Sequence, residues 1–148
     1  VSYQEKKNIV SPLSAIVVFG VYSWNVVLRY IDMNPQGMEL FRFWGAAILI
    51  LIPVSMVARL LIEIIFIIIN RIVTKEVAPS FADELDKIIE LKAMRISYFV
   101  FILGFLLAMG SLVFQMALSS MFIIMFVSGF IADVAGISWR LYLYRKGV

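Results

Sequence analysis

Arg59, Glu63 and Asp133 stand inside long apolar stretches of this chain. A charge held within a bilayer is costly and normally faces the interior of a helix bundle, so each is a candidate for chemistry. The types fit a proton relay, a coupling-ion site or a substrate contact. Spacing groups them further. Ser55, Arg59, Glu63, Phe66 and Asn70 advance by 4, 4, 3 and 4 residues, which aligns four polar side chains on one helical face. Gly129, Asp133, Gly136 and Arg140 advance by 4, 3 and 4. Ser97, Phe101, Gly104, Ala108, Ser111 and Gln115 trace a third stripe of the same kind.

Other chemistry is excluded by what the chain lacks. It has 0 His and 0 Cys, so serine–histidine–acid triads, histidine-ligated zinc, thiolate nucleophiles and disulfides are out of reach. No phosphate-cradling glycine loop, nucleotide fingerprint or nucleic-acid module occurs. The acidic run Asp83, Glu84, Asp86 and Glu90 lacks the glycine and spacing of a calcium loop and reads as a solvated helix face. No catalytic residue, metal ligand or cofactor is expected, and the chain does not read as an enzyme.

The elements that position the trio follow from hydropathy. The chain is 63% hydrophobic and 16% charged, against roughly 45–50% and about 25% in soluble domains. A span needs about 20 mostly apolar residues. Such runs predict an all-α, integral membrane four-helix bundle built as one domain of two helical hairpins, with spans near 9–29, 43–70, 96–117 and 120–143. The first run is too long for a signal peptide and lacks a clear cleavage site, so it is expected to be retained. Asn34-Pro35-Gln36-Gly37 marks the first turn. The second run would be about 42 Å long as one helix, so it must tilt, protrude or kink, with Pro53 the obvious kink site. Residues 96–132 carry no charge and are too long for one span, which places a break near Leu118-Ser119-Ser120.

Between the second and third spans lies the main polar segment. Pro79-Ser80 followed by Asp83 reads as a capped helix start. Phe81, Leu85, Ile88 and Ile89 share one face, predicting a short amphipathic helix over 80–94 that either stops at the surface or runs into the third span. Ten basic residues gather on the side of the termini and this segment, against Arg29 and Arg42 on the other, with Arg59 inside a span. That bias predicts both termini in the cytoplasm of a bacterial-type inner membrane and argues against dual topology. The trio then falls in the inner leaflet. Arg59 lies about 24 Å from the outer end of its helix and Asp133 about 20 Å from that of its own, so they can meet. Arg59 can also pair with Glu63 along its own helix. Small-x3-small patterns, Gly104/Ala108 and Ser128/Ala132/Gly136, favour close packing within the chain. Trp24, Trp44, Trp139, Tyr142 and Tyr144 read as interfacial anchors.

The stretch from Asp83-Glu84-Leu85-Asp86 to Lys92, leading into Ile96-Ser97-Tyr98, and the ending Leu141-Tyr142-Leu143-Tyr144-Arg145-Lys146-Gly147 carry a resemblance. They resemble small uncharacterised bacterial four-helix membrane proteins with an Asp-Glu-Arg-Asp signature before the third helix, with Leu85 where the signature has Arg. The resemblance covers the second half and implies the same architecture and no activity.

Two functions follow as expectations. The leading one is a non-catalytic regulatory, accessory or scaffold subunit embedded in lipid. It would contact a protein partner or a second copy through Lys87, Glu90 and Lys92, with no nucleic acid involved. In that case Arg59, Glu63 and Asp133 are interhelical glue, since one Arg and two carboxylates can neutralise one another. The alternative is a small transporter or channel that uses the trio as a polar site.

Overall fold

The computed structural model describes residues 3–75 and 84–146. They form four helices, α1 (Tyr3–Met33), α2 (Met38–Thr74), α3 (Glu84–Val113) and α4 (Leu118–Lys146). Each is long and apolar enough to cross a membrane. The accessible surface is 10179 Å², whereas a compact soluble monomer of 16.9 kDa would expose about 7,700 Å². Most large apolar side chains on α2 face outward. Lipid is the solvent that accepts such a surface, and the chain is a multi-pass helical membrane protein.

Antiparallel neighbours set two ends. Turns at 34–37 and 114–117 make the far end. The start of α1, the end of α2, the start of α3 and the end of α4 make the other, the basic end. At the first turn Gly37 has φ 60° and ψ −128°, a conformation costly to any residue with a Cβ. Gln115 turns the chain into α4 at φ 57°, so the break sits at 114–117, just before the expected serines. α2 continues through Pro53 to Thr74, although Pro53 has no N–H for the Leu49 carbonyl. At 37 residues it is about 55 Å long.

Packing is uneven, and the reason is side-chain size. α3 and α4 lie close along much of their length. Small residues line the seam: Ala93, Gly104, Ala108 and Ser111 on α3 are buried, as are Ser128, Ala132 and Gly136 on α4. A Cβ on Gly104 would fall 2.3 Å from that of Ser128. Ser97 Oγ donates to the Ala132 carbonyl at 2.8 Å. Phe101 and Gln115 of the expected stripe fall outside this seam, Phe101 on the outer surface and Gln115 in the turn.

α1 packs on α4 and α2 through bulkier residues. Val26, Trp44, Ala47 and Phe126 form a buried cluster, edged by Phe19, Tyr22, Tyr30 and Phe122. Phe19 stacks on Phe130 with ring centres 4.1 Å apart. Trp44 is therefore core, contrary to its expected role as an interfacial anchor, while Trp24, Trp139 and Tyr142 are exposed. The α2 and α4 backbones come close at few points and meet through bulky side chains, and no backbone approach links α3 to α1 or α2 among the described residues. The expectation of two hairpins as packing units does not describe this arrangement, because α1 leans on α4 as extensively as on α2.

Of the two alternatives for the amphipathic helix over 80–94, a short helix of its own is not formed over 84–94, and that stretch runs into the third span. Residues 80–83, with the expected cap, lie outside the described residues, and 84–94 are the first turns of α3 itself. No Gly or Pro interrupts 84–96. Ile89 and Ala93 are buried and continue the small-residue seam with α4, and Tyr144 donates its hydroxyl hydrogen bond to Asp86. Among the described residues of the expected apolar face only Ile89 is buried; Leu85 and Ile88 are exposed, and Phe81 lies outside the described residues.

Candidate functional site

The polar stripe of α2 faces the space between α1 and α4. Arg59 and Asp133 form a two-pronged ion pair: Nη1 donates to Oδ1 at 3.0 Å, and Nη2 to Oδ2. Planar guanidinium matches carboxylate in this fork, which fixes orientation as well as charge. One turn nearer the basic end, Glu63 Oε1 lies 2.7 Å from Lys7 Nζ. Thus Glu63 pairs across helices, and the expected Arg59–Glu63 contact along α2 is not made. Near the end of α2, buried Asn70 accepts from Lys6 Nζ at 3.5 Å and its own carbonyl takes the Thr74 hydroxyl at 2.6 Å.

Arg59, Asp133, Glu63 and Lys7 line one cavity of about 190 Å³, together with Ser11, Ser14 and Arg140. α1 contributes Lys7, Ser11 and Ser14, which advance by 4 and 3 residues along one face. Ser14 Oγ is turned back to the Ser11 carbonyl at 2.7 Å. Arg140 comes from α4, two turns below Asp133, while Gly136 between them faces Ser97 of α3. Three cations against two carboxylates leave the wall with one positive charge over. Arg140 makes no ion pair among the described residues, and its Nε, like that of Arg59, is buried without an acceptor.

A second cavity of about 260 Å³ lies on the far side of the pair, lined by Ser55, Met56, Gly129 and Phe130, and again by Arg59 and Asp133. The ion pair thus forms a wall common to both spaces. Arg59–Asp133 ties α2 to α4 at this depth, as Trp44 does toward the far end through Phe122 and Phe126.

Sequence reasoning brought Arg59, Glu63 and Asp133 to one region. It missed Lys7, Ser11 and Ser14 as members of the site, having counted Lys7 only toward orientation, and it aligned Arg140 with Asp133 on one stripe without adding it to the trio. The 4-and-3 spacing of Lys7, Ser11 and Ser14 was the available signal. Lys87, Glu90 and Lys92 are exposed on the first turns of α3, separated from this cavity by α4.

No protein-family model, curated protein or solved structure matches this chain.

Chemically, the cavity offers guanidinium and ammonium donors, two hydroxyls and two occupied carboxylates. Such a set suits an anion with oxygen acceptors better than a cation, because each carboxylate already has a fixed partner.

Proposed function

We propose that this protein is a small transporter or channel of the bacterial inner-membrane type, with both termini and the α2–α3 connection in the cytoplasm. Its working site is the polar cavity between α1, α2 and α4, and its substrate is a small anion. One observation carries the reading. The cavity holds an excess cation, and Arg140 has no carboxylate partner beside an ion pair shared with a second cavity. If the trio were glue alone, it would close on itself as one Arg with two carboxylates; instead five charged side chains from three helices surround a space. Orientation is supported by the ten-to-two distribution of basic residues.

Arg140 is the anion contact in this scheme, Lys7 and Ser14 line the approach, and Arg59–Asp133 keeps the two cavities apart. Proteoliposomes loaded with nitrate or acetate test it. Arg140→Gln lowers efflux, while Asp133→Asn opens the partition and raises it. Absence of protein-dependent efflux, or identical rates in wild type and both variants, removes the reading.

The accessory-subunit reading retains one supporting observation: Lys87, Glu90 and Lys92 sit exposed beside exposed Leu85, Ile88 and Leu91. Substitution of the three charged residues would then release a co-purifying partner. The resemblance to four-helix bacterial membrane proteins supports the architecture and adds no activity.

A further inference from the structure

A groove of about 630 Å³ runs between α1 and α2 at the far end, away from the polar cavity. Its mouth carries Arg29, Glu39 and Arg42, and its walls below them are mostly apolar, with Val26, Ala46, Ile50 and Val54 beside Tyr22 and Asn25. None of the three charged residues makes an ion pair among the described residues. Arg29 and Arg42 are also the two basic residues that lie against the orientation bias of the whole chain. Topology alone does not call for cations there, yet both converge on one groove.

We infer that this groove holds a phospholipid of the leaflet at the far end, its phosphate between Arg29 and Arg42 and one acyl chain along α2 toward Val54. Length supports the assignment. From Arg42 to Val54 the wall runs about 18 Å, and half of a bilayer core about 30 Å thick is close to that. Charge supports it as well. Guanidinium groups bind phosphate in forked geometry, and at the membrane surface they are placed where a lipid phosphate sits. Small side chains supply the room: Ala46 and Ala47 leave the α2 wall open where larger residues would fill it. The open flank suits an acyl chain, since Ile50 and Val54 are exposed and need an apolar neighbour.

Native mass spectrometry of the full chain, released from nanodiscs of phosphatidylglycerol and phosphatidylethanolamine, tests the inference. One retained phospholipid per chain is expected. The Arg29→Gln/Arg42→Gln variant should retain it about tenfold less, equivalent to about 1.4 kcal/mol. Ala46→Trp keeps both charges and should displace the lipid by filling the groove. Arg71→Gln, at the basic end, should retain it as wild type does. Circular dichroism of each variant confirms that the helices persist. Equal retention in wild type, Arg29→Gln/Arg42→Gln and Ala46→Trp overturns the assignment, as does equal loss in Arg71→Gln. The anion-efflux result has no bearing on these outcomes.

Discussion

Arg59 and Asp133 show how a membrane reorders the value of an ion pair. In water an exposed pair contributes little. Within a bilayer each charge alone would be expensive, and the pair lets both remain. Removing one partner leaves the other unmatched, so Asp133→Asn and Arg59→Gln should each destabilise the fold. Exchange of the two, Arg59→Asp with Asp133→Arg, should recover part of the loss, with a coupling of about 0.5–3 kcal/mol in a double-mutant cycle of thermal unfolding. Additive losses would show that the two side chains act separately. The meeting of these residues was legible because two helical depths could be counted from span ends. The partner of Glu63 was not, since the nearest cation in sequence, Arg59, is taken by a better-oriented carboxylate on another helix. Which of two reachable partners wins depends on helix rotation, and no spacing rule within one helix reports that.

At the scale of elements, side-chain size decides which helices close up. Gly104 and Ser128 meet across the α3–α4 seam with no space for a further methyl group. Gly104→Ala should force the helices apart and cost about 1–3 kcal/mol, as overpacking does elsewhere. Adding Ser128→Gly removes the obstructing side chain and should restore much of the stability, which thermal unfolding in detergent would measure. A neutral Gly104→Ala would mean the seam is looser than described. The small-x3-small patterns made this seam readable in advance. The short amphipathic helix over 80–94 was left undecided between stopping at the surface and joining the third span because its polarity resembles a boundary, whereas Ile89 and Ala93 carry the seam packing into these polar turns of α3. Trp44 was misassigned for a related reason: its position near a helix end suggested the interface, but Phe122 and Phe126 on α4 enclose it.

For the whole molecule, the four spans were visible in composition, and their arrangement was not. Hydropathy counts helices without saying which of them touch. Among the described residues α3 packs only against α4, and α1, α2 and α4 surround the polar cavity. That asymmetry separates a tightly packed pair from a looser set of three, and the proposed site lies among the looser helices. Arg140→Gln should therefore impair anion efflux without lowering thermal stability, since it takes part in no described ion pair. A fall in stability equal to that of Asp133→Asn would make Arg140 a structural residue.

The chain has no native cysteine, so a single introduced thiol reports without background. Ser14→Cys places one on the cavity wall. A membrane-impermeant thiol reagent should modify it in inside-out vesicles and leave it untouched in right-side-out ones. Labelling from the outer side only, or no labelling from either side, would contradict a polar cavity open to the cytoplasm.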